Sequence, residues 1–115
     1  MVVGKIEELF AKEITSTEAK NARMKVLVNA ENGWEDYVMR VVEVDESGYT
    51  PKHSHPWPHI NYIISGKGSL MIDGKENPVE AGSYAFVPGN HLHQFKNIGT
   101  DTFKFICIVP KEGHI

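Results

Sequence analysis

The feature that most constrains the fold of this chain is a series of short, apolar, strand-like runs separated by turn residues, beginning near Arg23. Two turns, Asn32-Gly33 and Asp73-Gly74, are dipeptides that favour tight β-hairpins. Short strands at near-regular spacing, without intervening helical patterns, are typical of antiparallel sandwiches and barrels. The sequence therefore predicts a single all-β domain over residues 23–115, preceded by a short N-terminal arm over residues 1–22.

The individual strands follow from runs rich in β-branched and aromatic residues. We predict strands over residues 24–28, 36–44, 60–65, 69–72, 84–87, 91–96 and 102–109, with a turn at Ser47-Gly48 and a loop around Pro78 and Gly82. In the arm, residues 5–12 carry apolar residues at spacings of three and four, compatible with a short helix. An extended segment that packs on a partner subunit is the alternative.

Five of the six histidines lie in two short segments, residues 53–59 and 88–93. Alternate side chains of a strand share a face, so His53, His55 and His59 have the same parity, and a neighbouring strand could bring His93 to them. Neutral imidazole is the commonest protein ligand for transition metals, and a close pair with a distant closing ligand is typical of such sites. These four histidines are the predicted metal ligands.

Seven other residues are candidates for the wall of the pocket around the metal: Met39, Arg40, Ile63, His91, Phe95, Phe105 and Cys107. Arginine is seldom buried alone, so Arg40 in a valine-rich strand predicts either a carboxylate partner or an anionic substrate. Cys107 is either an inert core residue or a cavity thiol that oxidises near a redox metal. His91 has the parity of His93, with a position at the rim or surface as its alternative.

Charge and composition exclude several classes of function. The net charge of -3 and the absence of Lys/Arg runs leave no electrostatic footprint for nucleic acid. No apolar stretch approaches the roughly 18–20 residues that span a bilayer, and the first residues lack a signal peptide's apolar segment. Cys107, as the single cysteine, excludes an internal disulfide. We expect a cytoplasmic protein that binds neither nucleic acid nor membrane.

Between Gly48 and Asn97 the sequence resembles the cupins. Their first motif consists of a glycine, a His-x-His pair, a glutamate and a second glycine. The corresponding positions are Gly48, His53, His55, His59 and Gly66, with His59 in place of the glutamate. The second motif falls on Gly82, Pro88, Asn90, His93 and Asn97. Asn90 replaces a glycine, which is a mild change because asparagine also tolerates a left-handed backbone.

The resemblance implies a fold, a cofactor and a partner. Cupins are antiparallel jelly-roll (double-stranded β-helix) barrels that hold a metal inside one end and often form homodimers. Within the family, the chain resembles the small four-histidine manganese cupins, which share His-Ser-His-Pro-Trp and a cysteine-bearing last strand ending in Pro-Lys-Glu-Gly. One divalent transition metal ion per chain is therefore expected, with Mn or Fe favoured and Zn, Ni or Cu as alternatives.

The leading functional prediction is an oxidoreductase of the dioxygenase type that acts on a small organic substrate. Four neutral imidazoles leave the charge of a divalent ion uncompensated, which favours anionic or enolate-like ligands, and the missing glutamate removes a carboxylate base. Two alternatives stay open. One is a non-oxidative isomerase of a sugar or keto acid with the metal as Lewis acid, and the other is a sensory module that binds a small ligand without catalysis.

Overall fold

The computed structural model describes residues 1–114 and consists almost entirely of one antiparallel β-sheet that curves into a nearly closed barrel. The strands are β1 Lys12–Glu13, β2 Lys20–Val28, β3 Tyr37–Tyr49, β4 His59–Ser65, β5 Lys67–Ile72, β6 Lys75–Glu80, β7 Tyr84–Val87, β8 His93–Asn97 and β9 Phe103–Pro110. Single 3-10 turns lie at Ile6–Glu8, Ala30–Asn32 and Lys111–Gly113. This confirms the predicted all-β antiparallel barrel. Within the described residues, no helix has the length and apolarity to cross a membrane.

Strands that are distant in sequence are neighbours in the sheet. The order is β6-β5-β8-β3-β9-β4-β7, with β2 on β3 and β1 on β2. The last strand, β9, is hydrogen-bonded between β3 and β4 along most of its length. This arrangement brings residues from the beginning, middle and end of the chain to one interior, as in a jelly roll.

The core lies inside the barrel, where alternate residues of each strand point inward. On β9, Phe103 and Phe105 are almost fully buried, and on β3 the buried residues Val42 and Val44 lie opposite them in the register. With Phe95 of β8, the two phenylalanines form a cluster whose ring centroids are 4.1–6.3 Å apart. We call these three residues the aromatic cluster.

The turn predicted at Ser47-Gly48 is wrong, because both residues lie inside β3. Ser47 has a φ of 65°, and the pairing of β2 with β3 jumps between Lys20/Tyr49 and Ala22/Val44. A Cβ on Gly48 would lie 2.6 Å from the carbonyl oxygen of Lys20. The glycine therefore permits a bulge in a continuous strand. A bulge and a turn favour the same residue types, so the sequence alone did not distinguish them.

The loop predicted around Pro78 is also wrong at that residue, since Pro78 lies in β6 and pairs with Ser69 of β5. β6 is the terminal strand of the sheet order. A proline cannot donate a ladder hydrogen bond, but an edge strand has one side where none is needed.

Residues 1–22 contain one 3-10 turn and the short strand β1, and the long strand β2 begins within them at Lys20. The pairing of β1 with β2 holds the segment to the barrel, and side chains add further contacts. The Nζ atom of Lys25 donates a hydrogen bond to the carbonyl oxygen of Ile6 at 3.2 Å. Ile14 packs against the core.

Candidate metal centre

The four predicted ligands lie in one cluster that runs from the buried His59 and His93 to the exposed His53. His53, His55 and His93 each offer a ring nitrogen within 4.8 Å of the others, so these three could hold a metal ion. The Nε2 atom of His59 lies 3.1 Å from the Nε2 atom of His93. We call these four residues the histidine cluster.

The residues reach the cluster by a different route from the one predicted. His53 forms an isolated antiparallel bridge with His93, with N···O distances of 3.0 and 3.1 Å, and His55 lies in the loop before β4. The expectation of a regular strand through His53 and His55 is wrong, because the prolines at 51, 56 and 58 remove the N–H groups that a strand ladder needs.

The sequence predicted that a strand next to that of His59 would carry His93. His59 and His93 instead lie on β4 and β8, which are separated in the sheet order by β3 and β9. Both side chains are nearly fully buried, with exposed fractions of 5% and 4%. They meet across the interior of the barrel. Closure of the barrel, rather than pairing of two strands, therefore brings the two histidines together.

The two histidine segments are also locked to each other through the backbone. The N–H of Asn90 donates to the carbonyl oxygen of His55 at 2.7 Å, and Asn90 has a φ of 68°. A Cβ on Gly89 would lie only 2.3 Å from the carbonyl oxygen of Pro56. The small residue at Gly89 and the left-handed one at Asn90 thus permit the close approach that brings the second motif to the first.

Hydrogen bonds fix which nitrogen of His55 and His93 is available. The Nδ1–H of His55 donates to the carbonyl oxygen of Trp57 at 2.8 Å, and that of His93 donates to the carbonyl oxygen of His91 at 2.9 Å. A carbonyl oxygen can only accept, so the proton of each neutral ring lies on Nδ1. Nε2 therefore carries a free lone pair in both residues.

His59 is oriented in the same way by a side chain. Its Nδ1 lies 2.6 Å from Oδ1 of Asn61, whose amide nitrogen donates to the carbonyl oxygen of Ile106 at 3.4 Å. That second contact sets the amide so that its oxygen faces the imidazole, and Nδ1 of His59 is the donor. A partner that holds the ring in this way is typical of metal-bound histidine.

The facing Nε2 atoms of His59 and His93 test whether a cation fits this site. With a proton on each Nδ1, neither Nε2 can donate to the other, and two lone pairs 3.1 Å apart repel. Two nitrogens bound to one ion at about 2.0–2.1 Å are separated by about 3 Å when they are adjacent ligands. The residues present therefore fit a transition metal ion.

The surroundings keep these rings neutral. Desolvation, with smaller contributions from His93, His55 and Arg40, lowers the pKa of His53 to about 4. Desolvation likewise lowers the pKa of His59 to about 4, although its hydrogen bond with Asn61 acts in the opposite direction. Burial also lowers the pKa of His93. Since a metal binds the unprotonated ring, the cluster is ready to bind at neutral pH.

A cavity of about 450 Å³ lies beside the histidine cluster. Four of the candidate wall residues line it: Arg40, Phe95, Phe105 and Cys107. Ile14, Met24 and Val42 extend its apolar surface. Burial raises the pKa of the Cys107 thiol, so this residue is both a core residue and a protonated group on the wall.

The other three candidate wall residues lie elsewhere. Met39 precedes Arg40 in β3 and faces the opposite side of the sheet, because strand side chains alternate. Ile63 is buried in the apolar core. His91 takes the rim or surface alternative, where its Nδ1 forms a hydrogen bond with the carboxylate of Asp73.

Several residues have contacts at the site that the sequence did not predict. Asn61 shares strand parity with His59, which was the available signal for its role. Trp57 stacks on the ring of His55 with centroids 4.8 Å apart, and Gly113 packs against its indole. The Nδ1 atom of His114 lies 3.2 Å from Nη1 of Arg40. No local sequence pattern predicts that contact.

The chain belongs to the cupins, since the family model described as cupin domain matches residues 40–109. Two curated proteins are similar over part of this region. One is a glucose-6-phosphate isomerase of Thermococcus onnurineus, 34% identical over 61 residues, which are 48% of this chain and 32% of that protein. The other is an oxalate-binding protein of Thermotoga maritima, 30% identical over 50 residues, 44% of this chain and 41% of that protein. The chain spans less than half the length of each.

Two solved structures share the fold over nearly the whole chain. The polyketide cyclase RemF of Streptomyces resistomycificus has a TM-score of 0.89 and 26% identity, covering 96% of this chain and 79% of its own. A predicted oxalate decarboxylase of Thermotoga maritima has a TM-score of 0.85 and 21% identity, covering 95% of this chain and 98% of its own. The second likeness concerns the fold alone.

Proposed function

We propose that this cupin is a metal-dependent oxidoreductase of the dioxygenase type that acts on a small organic substrate. His53, His55, His59 and His93 would hold one divalent ion per chain, manganese or iron. The observation that carries the proposal is the pair of buried Nε2 atoms of His59 and His93, 3.1 Å apart and both without a proton. Such a pair is costly in an empty interior and favourable around a cation.

The metal ion, the histidines and the apolar wall of the cavity would have separate roles. When bound, the ion would supply Lewis acidity and a redox couple. The histidines would orient it through the hydrogen bonds on Nδ1. Phe95, Phe105 and Val42 form an apolar wall that excludes water and receives the body of the substrate.

The scarcity of acid–base groups favours oxidative chemistry over proton transfer. The cavity wall carries Glu18 as its acidic residue, and Glu18 is exposed. The Cys107 thiol is kept protonated by burial, which makes it a poor base. A reaction that needs a protein base beside the metal therefore has little support, whereas oxidation driven by the ion needs none.

The second candidate is a non-oxidative isomerase of a sugar or keto acid, with the ion as Lewis acid. It is favoured by the similarity to proteins named glucose-6-phosphate isomerase in Thermococcus onnurineus and Thermococcus kodakarensis, 34% and 32% identical over 61 and 75 residues. Such a reaction would have to move its proton through a histidine or bound water.

Metal analysis and oxygen uptake test the proposal together. Protein purified without chelator or affinity tag should contain manganese or iron, and should consume oxygen with one class in a panel of catechols, flavonols, diketones and alkenylphenols. His93→Ala should abolish uptake, and His91→Ala should retain it. Zinc as the sole native metal, or sugar isomerisation without oxygen uptake, would favour the isomerase. Ligand affinity without turnover would favour a binding module.

We also propose that a second copy of the chain covers the outer face of β4 and β7. Ile60 pairs with Phe86, and Tyr62 pairs with Tyr84, and these four side chains are 49–83% exposed. A contiguous apolar patch on a sheet is typical of an interface. Sedimentation should give a dimer, and Tyr84→Ser combined with Phe86→Ser should give a folded monomer. A wild-type monomer at high protein concentration would contradict this.

A further inference from the structure

Arg40 differs from the chain's other arginine, Arg23, in having no carboxylate partner within residues 1–114. On the neighbouring strand β2, Arg23 donates to Glu43 at 2.8 Å and to Asp45 at 2.7 Å. Arg40 of β3 lines the cavity, and within residues 1–114 no Asp or Glu oxygen lies within 4.0 Å of its side-chain nitrogens. An arginine on a cavity wall without a counter-charge is unusual, because burying an unpaired charge is costly.

The acceptors around Arg40 use little of its capacity to donate. Nη1 lies 3.2 Å from Nδ1 of His114, and Nη2 donates to Sγ of Cys107 across 3.7 Å. Nε is buried and has no hydrogen-bond partner among the residues that the structure describes. A guanidinium has five N–H donors arranged to bind a planar pair of oxygens, and sulfur is a weak acceptor. Residues 1–114 therefore leave Arg40 with unused N–H donors on the cavity side of β3.

The position of Arg40 relates it directly to the histidine cluster. Arg40 lies opposite Cys107 in the register of β3 and β9, and Cys107 lies opposite Asn61 in the register of β9 and β4. Asn61 in turn holds His59 through the hydrogen bond at 2.6 Å. Arg40, Cys107 and Asn61 thus lie side by side on three neighbouring strands, and Asn61 contacts the histidine cluster. Arg40 and the histidine cluster line the same cavity.

We propose that Arg40 anchors the carboxylate of the natural ligand, which is a small organic acid with an apolar body. Two parallel hydrogen bonds from the guanidinium would hold the carboxylate. The apolar body would lie against Met24, Val42 and Phe105, with its reacting end toward the histidine cluster. A cavity of about 450 Å³ lies within the range typical of small-molecule sites.

This inference deepens the proposed function by naming the substrate class, and rests on it only for the orientation of the acid. The binding step can be tested without a redox metal. Acetate, isovalerate, benzoate and phenylacetate, together with their neutral amides, are titrated calorimetrically into the protein as purified and into chelator-treated protein. The variants are Arg40→Met and Arg40→Lys. Lys52→Met is the control, because Lys52 is exposed and does not line the cavity.

At least one acid should bind, and Arg40→Met should weaken it about ten-fold or more, as expected for loss of a charge-assisted pair. The amides should change less than about two-fold, and Lys52→Met should match the wild type. Arg40→Lys should lie in between, since lysine keeps the charge without the fork. The proposal is overturned if no acid binds the wild type, if acid and amide bind equally, or if Arg40→Met weakens both alike.

The metal content of each sample separates this inference from the proposed function. Selective acid binding by a chain that takes up no metal would overturn the proposed function and leave the anchor standing. Metal uptake with no preference for acids would overturn the role of Arg40 as an anchor and leave the proposed function standing. If Arg40→Met does not fold, as judged by its unfolding transition, Arg40→Lys and the comparison of acids with amides on the wild type decide.

Discussion

Two regions of the barrel interior meet on strand β8 and are used in opposite ways. On β8, Phe95 of the aromatic cluster is two residues from His93 of the histidine cluster. Around Phe103 of the aromatic cluster the space is filled, to the extent that a Cβ on Gly68 would lie 2.3 Å from its ring. Around the histidine cluster a cavity of about 450 Å³ is left.

The difference illustrates how a small barrel can carry a site that does not stabilise it. Close-packed aromatic residues supply dispersion and hydrophobic free energy, whereas buried polar rings around a cavity supply little and cost desolvation. The aromatic cluster therefore offsets the instability of the histidine cluster. Changes at Phe103, which does not line the cavity, should alter stability, and changes in the histidine cluster should alter binding.

The largest expected effect is on metal content. His93→Ala removes the residue that contacts His59 and bridges His53, so bound metal should fall close to zero while the barrel still folds. Elemental analysis of purified protein measures this. His91→Ala is the matched control and should keep the wild-type metal content, because His91 bonds to Asp73 away from the cavity. Equal metal in both variants would remove His93 from the ligand set.

The next effect concerns the aromatic cluster. Phe103 is fully buried and does not line the cavity, so Phe103→Ala should lower the free energy of unfolding by about 3–5 kcal/mol. Denaturant unfolding of the metal-free protein measures the loss. The fraction of the variant that remains folded should bind as much metal as the wild type. A loss of stability as large in metal-free His93→Ala would contradict the division between the two regions.

A smaller effect is expected from Asn61, which touches no metal itself. Asn61→Leu keeps the volume and removes the oxygen that orients His59, and should weaken metal affinity about 10–100-fold. Competition with a chelator of known affinity measures the change. Asn61→Asp supplies a stronger acceptor and should restore most of the affinity. If leucine and aspartate behave alike, the hydrogen bond is unimportant.

The smallest effect is the response of the metal-free protein to acid. His53 and His59 have a pKa of about 4 in the folded state, below the ordinary value of 6.5. The folded state therefore binds fewer protons than the unfolded state between these pH values, and its stability should fall as pH drops from about 6.5 toward 4. Denaturant midpoints across this range measure the slope. Replacing both histidines with glutamine should make the slope shallower, with His93 contributing to what is left, and an unchanged slope would assign the response to other groups.

The fold was predictable because its signals are local. Asp73-Gly74, read as a hairpin turn, connects β5 to β6 with φ values of 49° and 84°, the two positive values that such a turn requires. Ser47-Gly48 carries the same kind of signal and forms a bulge. Residue preferences predict where the backbone is left-handed. They do not predict whether the chain reverses direction there, as in a hairpin, or continues, as in a bulge.

The candidate site was predictable to the extent that its residues are chemically distinctive. Clustered histidines were identifiable by type and spacing, and the approach of His59 to His93 agrees with that expectation. The contact of Arg40 with His114 joins residues 74 apart in sequence and depends on where β9 ends. Met39 and Arg40 were both expected on the wall, although strand alternation admits only one of them.

The stacking of Trp57 on His55 gives the protein an internal optical reporter. The chain has two tryptophans, and the other, Trp34, lies 39% exposed beside Tyr37 and outside the cavity wall. Any event that changes the charge on the His55 ring changes the electric field at an indole 4.8 Å away. A Trp34→Phe variant would therefore emit from Trp57 alone, and its fluorescence would follow occupancy of the centre in real time.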